Sequence, residues 1–164
     1  MILATLCYVR HQGKTLMLLR NKKPNDVHEG KWNGLGGKFE AGETPEQCAI
    51  RELREESGLN AEMLDLKGVL TFPRFAKGVD WYVFVFNVTQ FTGTLHDSPE
   101  GHLEWVDDAR LLGLELWEGD QIFIPLLTRP GFISGRFTYE HGRLVDHHVE
   151  VYPRTDRPQR GELP

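Results

Sequence analysis

Short apolar runs separated by polar, glycine-containing segments recur along the chain, and they predict a strand-rich domain with few helices. Residues 2–9 and 15–19 are β-rich, and His11-Gln-Gly-Lys14 between them has the character of a hairpin loop. Over residues 21–37 the composition turns to Lys, Pro, Asn, Asp and Gly, which predicts a long loop of the kind kept for function. Thr44-Pro-Glu-Gln47 predicts a helix start: Thr44 as N-cap, Pro45 at the first helical position and Gln47 completing a capping box. The helix is expected to run to Ser57 and stop at Gly58. Residues 69–72 and 81–89 read as strands, the second apolar enough to be central. A shorter strand over 103–106, a helical turn over 108–112 and a short helix over 121–127 interrupted by Pro125 follow. A second hairpin is expected from 132–139 and 144–152 across His141-Gly142.

This pattern predicts an α+β fold, with one domain over residues 1–152 and a mobile tail over 153–164 that is almost devoid of apolar residues. The 164-residue length and the 40% hydrophobic content suit one core-forming domain and exclude a multidomain machine. With 24 acidic against 19 basic residues the formal charge is -5, which argues against duplex nucleic acid as a partner. Cys7 and Cys48 are too few for a disulfide framework and lack metal-site spacing, so a reducing, cytoplasmic setting is expected. The apolar start has no basic leader and no cleavage site, and no stretch is long enough to span a membrane.

Chemistry concentrates on the helix. Arg51-Glu-Leu-Arg-Glu-Glu56 places Glu52, Glu55 and Glu56 at i, i+3 and i+4, on one face. Like charges at that spacing each cost a helix roughly 0.2–0.5 kcal/mol, and the negative end of the helix dipole adds to the cost. Taken alone the segment reads as a solvated charged face offset by Arg51 and Arg54. The glycines of the preceding loop, Gly34, Gly36 and Gly37, change that reading, because they permit close backbone approach and expose carbonyls beside the carboxylates. Carboxylate and carbonyl oxygens together suit a hard divalent cation, and such a cation would reconcile an acidic site with a phosphate-bearing substrate.

From Gly37 to Leu59 the chain reads Gly37, five residues, Glu43, seven residues, Arg51-Glu52-Leu53, one residue, Glu55-Glu56, one residue, Gly58-Leu59. This pattern resembles the signature box of the MutT/Nudix hydrolases at every fixed position. Lys31-Trp-Asn-Gly-Leu-Gly-Gly-Lys38, Trp117, Asp120, Pro125-Leu126-Leu127 and the closing hairpin extend the likeness to the family's 8-oxo-dGTP diphosphatases. The resemblance implies an α/β/α sandwich with a mixed central sheet and a pyrophosphohydrolase using Mg²⁺, or Mn²⁺, to release a nucleoside monophosphate and pyrophosphate.

It also implies roles. Glu52, Glu55 and Glu56 become catalytic metal ligands, joined by the Gly36 carbonyl and by Glu100 from outside the box. Gly37, Glu43, Arg51 and Gly58 become structural, with Glu43 paired to Arg51. Lys22, Lys23 and Lys38 are candidates for the triphosphate, Lys38 first among them. Trp117 is expected to stack on a purine, with Asn33 and Asp120 bonding the base edge. Gly119 departs from the pattern, since the related group carries an aspartate there, which bears on base specificity. Trp32, Trp81 and Trp105 read as core or loop anchors, His147 and His148 as side chains on opposite strand faces, and Cys48 as a thiol without a base.

The expected partner is a nucleoside triphosphate, with an oxidised purine such as 8-oxo-dGTP as the leading reading, bound by a monomer or small homo-oligomer. Alternatives are another substrate of the same chemistry, such as an ordinary NTP or dNTP or a 5′-triphosphate RNA end, and an inactive nucleotide-binding regulatory module. A structural domain with a merely solvated acidic face is the third.

Overall fold

The computed structural model describes residues 1–153, so all but the first residue of the expected tail lies outside the described residues. In order, it contains β1 (Ile2–His11), β2 (Lys14–Arg20), β3 (Trp32–Asn33), α1 (Pro45–Ser57), β4 (Leu59–Ala76), β5 (Val79–Gly93) and β6 (Gly101–Asp107). A 3₁₀ helix (Asp108–Gly113), α2 (Asp120–Phe123), a second 3₁₀ helix (Ile124–Thr128), β7 (Phe132–Glu140) and β8 (Arg143–Tyr152) complete it. The strands form one mixed sheet in the order β3-β2-β1-β5-β4-β7-β8, with β6 also pairing β2. The β1–β5 and β4–β7 pairs are parallel and the rest antiparallel.

Period-two burial in the central strands creates a core on each face of the sheet. In β1, Cys7 and Val9 enter one core, and Ala4 and Tyr8 the other. The same division sends Leu16, Leu18, Phe86 and Val88 to the first and Met17, Val83 and Val85 to the second. The helix α1 covers the first core with Ala49 and Leu53, both fully buried. Burying a leucine of that kind contributes roughly 2 kcal/mol. Leu111, Phe123, Ile124 and Leu127 from the helical segments after β6, with Leu116 from the connection between them, cover the second. The layers are therefore helix, sheet, helix, in accord with the expected sandwich.

Local signals hold at the helix. The Thr44 hydroxyl accepts from the Gln47 amide at 3.2 Å, the Thr44 amide donates to Gln47 Oε1 at 2.9 Å, and Gly58 ends the helix in a left-handed conformation. Strand lengths differ from expectation. The run over 69–72 is the interior of an 18-residue strand that begins directly after Gly58, and 81–89 extends to 79–93. These two strands form a hairpin closed at Lys77-Gly78, where both residues have positive φ. The expected long loop over 21–37 holds β3 against β2 and then runs beside β1.

Candidate active site

The loop that precedes α1 is fastened to the central strand. Leu35 exchanges both backbone hydrogen bonds with Cys7 at 2.5 and 3.0 Å, the Thr5 amide donates to the Gly37 carbonyl at 2.8 Å, and the Phe39 amide to that of Leu3 at 3.1 Å. So close an approach requires glycine. A Cβ at Gly36, whose φ is 149°, would lie 2.1 Å from the Thr5 carbonyl oxygen, and one at Gly37 would lie 2.5 Å from the Glu52 carboxyl carbon. The Gly36 amide donates to Glu56 Oε2 at 2.9 Å, while its carbonyl accepts no hydrogen bond among the described residues.

The three glutamates of one helix face lie at three depths. Glu56 is buried at 4% exposure, Glu52 is half-buried and Glu55 is exposed. Burial pushes the Glu56 carboxyl well above the usual carboxylate range; the Gly36 amide opposes this, and the charges of Glu100 and Glu52 add to it. Burial also raises Glu52, against its bond to Arg51. Glu56 and Glu100 lie close enough to share a hydrogen bond, which two carboxylates can make only with a proton between them. Burial opposes ionisation of Glu100 too, yet Lys23 and Arg20 hold it below its ordinary value overall.

Arg51 ties this acidic cluster to the loop. Its guanidinium donates to Glu43 at 2.6 and 2.9 Å, to Glu52 at 2.7 Å and to the Lys38 carbonyl at 3.0 Å. The paired Arg51 holds Glu43 at about 2. The expected Glu43–Arg51 pair is thus present. Glu55 has a single long contact to Arg51, at 3.5 Å.

A cleft of about 940 Å³ opens beside these groups. Gly36, Gly37, Lys38, Glu52 and Glu100 line it together with Asn33, Trp117 and Asp120, so the structure brings most of the sequence-derived candidates to one surface. Glu56 lies behind this lining. Lys22 differs from expectation: it does not line the cleft, because its ammonium is engaged with the Ser98 carbonyl at 2.8 Å, and it secures the Glu100 loop instead. Trp81 also differs, forming part of the cleft wall beneath the Lys38 ammonium, 5.3 Å from its ring centre, with an indole N–H that has no partner among the described residues. Trp105 stacks on Phe91 as an anchor, Trp32 packs on the second core, and His147 and His148 contact Phe137 and Glu150 respectively. Cys7 and Cys48 are free and buried.

Several lining residues escaped the sequence reading. Arg20, one of these, pairs with both Asp26 and Glu100, where the expected candidate Lys23 also pairs with Glu100 at 2.6 Å. Trp117 donates its indole N–H to His28 Nδ1 at 2.9 Å and meets Phe75 and Tyr139 edgewise at 5.0 and 5.2 Å. Burial brings His28 down to about 4, so it is a neutral acceptor for that indole. Phe75 reaches the cleft through an irregularity in β4 between Phe72 and Ala76, where Arg74 has positive φ.

Asp120 is buried, and burial pushes its carboxyl up to about 8, only partly offset by Lys31. The folded chain therefore keeps a proton on Asp120 that the unfolded chain loses near pH 4. Its contribution to folding stability falls as pH rises from about 4 to about 8 and is level above. Asp120→Asn is expected to gain melting temperature over the wild type on going from pH 5 to pH 9. An equal difference at the two pH values would contradict a protonated Asp120.

These features coincide with a family pattern. The family model described as the NUDIX domain matches residues 2–127. The chain belongs to the Nudix family. Nudix relatives include an oxidized purine nucleoside triphosphate hydrolase of Danio rerio, 32% identical over 149 residues that cover 90% of this chain and 94% of that protein. A Nudix hydrolase of Bacillus subtilis is 33% identical over 142 residues, 82% of this chain and 85% of the relative. Among solved structures, a MutT protein of Bacillus halodurans superposes with a TM-score of 0.80 at 31% identity, covering 92% of this chain and 98% of that one. The Nudix fold and the hydrolase class follow. No helix among the described residues is long and apolar enough to cross a membrane.

Whether the Nudix box fits a divalent ion can be judged from the donor set. Among the described residues no three acidic, imidazole or thiol side chains already converge on one point, since Arg51 and the Arg20/Lys23 pair hold Glu52 and Glu100. The set nevertheless fits. A carboxyl that burial, with two acidic groups beside it, forces to keep its proton is relieved when a hard cation replaces that proton.

Proposed function

We propose that the chain is a Mg²⁺-dependent nucleoside triphosphate pyrophosphohydrolase that clears oxidised purine nucleotides such as 8-oxo-dGTP. The observation that carries this reading is a single cleft lined both by Gly36, Gly37, Glu52 and Glu100 of the acidic site and by Asn33, Trp117 and Asp120. The name of the zebrafish relative supports the same substrate class.

Glu52, Glu56, Glu100 and the Gly36 carbonyl are the groups that would hold the ion, with exposed Glu55 as an outer ligand or a base for water. When bound, a divalent ion lowers the pKa of a coordinated water and neutralises phosphate charge. The chain's own cations do the rest of the positioning. Arg20, Lys23 and Lys38 line the phosphate end, where they counter the triphosphate's charge. Water adds to phosphorus, and the bridging P–O bond breaks to leave a nucleoside monophosphate and pyrophosphate. Asp120, neutral below about pH 8, offers the base one donor and one acceptor.

The test is pyrophosphate release with Mg²⁺ over a panel of canonical and oxidised dNTPs. We expect 8-oxo-dGTP to exceed dGTP by at least about tenfold in kcat/KM. Equal values would remove the sanitising role while leaving the hydrolase, and activity on RNA 5′ ends alone would replace the substrate class. No hydrolysis of any member, with nucleotide still bound, would favour the regulatory module.

A further inference from the structure

The chain backbone at Gly119 leaves no room for a side chain. A Cβ there would lie 2.7 Å from the Tyr139 hydroxyl and 2.8 Å from the Phe137 ring. The space belongs to the phenol of Tyr139, which reaches over from β7 and accepts a hydrogen bond from the Gly119 amide at 2.7 Å. Its ring is fixed by Trp117, Phe75 and Phe72, with centres 5.2, 5.4 and 6.5 Å away. Tyr139 and Asp120 both line the cleft, and the amide that Tyr139 accepts from belongs to the residue before Asp120.

The consequence is a donor of fixed sense. The phenol oxygen already accepts from Gly119, and its own O–H has no acceptor among the described residues. Burial raises the phenol above its ordinary value, against the Gly119 amide, and Asp120 and Glu118 raise it further, so the proton stays in place. An aspartate at position 119 could accept or donate according to its protonation; a phenol held by an amide offers its hydrogen.

We propose that Tyr139 is a specificity-determining residue that donates its O–H to a carbonyl oxygen of the bound base, so that the enzyme selects 6-oxopurines over 6-aminopurines. This rests on the nucleotide-hydrolase reading above. A 6-oxopurine presents a carbonyl beside a ring N–H, which meets the Tyr139 donor and an Asp120 acceptor together. A 6-aminopurine inverts the pair. Asp120, carrying its proton, can still serve the bare ring nitrogen, but the phenol O–H then faces an amino group and is left unpaired in a desolvated site.

The experiment compares kcat/KM for two pairs of substrates that differ at the 6-position, 8-oxo-dGTP with 8-oxo-dATP and dITP with dATP, in wild type and Tyr139→Phe. The wild type is expected to prefer the 6-oxo member of each pair by at least about tenfold. Phenylalanine keeps the ring, and the preference is expected to shrink toward unity because 6-oxo activity falls while 6-amino activity holds. Gly119→Ala, whose methyl displaces the hydroxyl, is expected to narrow it in the same direction. A Tyr139→Phe enzyme that loses activity equally on all four substrates would show a role in packing alone, and an unchanged ratio in both variants would likewise overturn the proposal. A wild type that hydrolyses none of the four but cleaves other nucleotides overturns the substrate assignment first, and a wild type that cleaves no nucleotide overturns the function.

Discussion

Replacing Glu56 by Gln is expected to cut hydrolysis by on the order of 10³-fold, the scale for removing one group that stabilises transition-state charge. The variant should nevertheless fold. Gln keeps an oxygen to accept the Gly36 amide at the same place, so the loop and helix remain joined. It also removes a group that burial forces to hold a proton, so stability in the absence of divalent ions should match or exceed that of the wild type. The wild type should gain melting temperature on addition of Mg²⁺ and the variant should gain less. Circular dichroism, thermal melts with and without Mg²⁺, and pyrophosphate release together separate these effects. Wild-type activity in a well-folded Glu56→Gln protein would take Glu56 out of the mechanism.

Gly36→Ala should damage both the fold and the chemistry. The new methyl would sit 2.1 Å from the Thr5 carbonyl, at a φ of 149° that an alanine rarely adopts. Backbone strain and overpacking each cost about 1–3 kcal/mol, so a loss of about 3 kcal/mol is expected, or roughly 6–12 °C in Tm for a domain of this size. Relief by moving the loop would displace the Gly36 amide from Glu56 and the Gly36 carbonyl from the acidic cluster. A shift of about 1 Å there is enough for a loss of about 10²-fold in kcat. Full stability and full activity in this variant would mean that the strap to β1 is unnecessary.

The outcome of reading residues against structure differs from one end of the cleft to the other. At the acidic end the chemistry is local: box residues within one loop and one helix meet because a capping box and a helical period place them, and both are visible in the chain. What periodicity could not convey is depth. Glu52, Glu55 and Glu56 share a helix face, but whether each is covered depends on the loop folded over them. Arg20 was missed for a topological reason. It ends β2 as an ordinary charged residue, and only the antiparallel β2–β6 register, in which Arg20 faces Gly101, brings it to Glu100. Phe75 and Tyr139 come from different strands joined through long-range pairing of β4 with β7, which no short window contains. A Lys-Gly pair between apolar runs was the available sign of the β4–β5 turn, and it would have pointed to Phe75 above the cleft.

The backbone ladder between residues 35–39 and β1 gives the two ends of the cleft different histories of change open to them. The phosphate-facing loop is hydrogen-bonded to the central strand β1, so a change in its path disturbs that strand as well. The base-facing wall is assembled from aromatic side chains of a hairpin, a short connection and β7, where one ring can be exchanged for another without disturbing any strand of that ladder. A scaffold divided in this way can acquire a new nucleobase preference by a few substitutions while its bond-breaking apparatus stays the same.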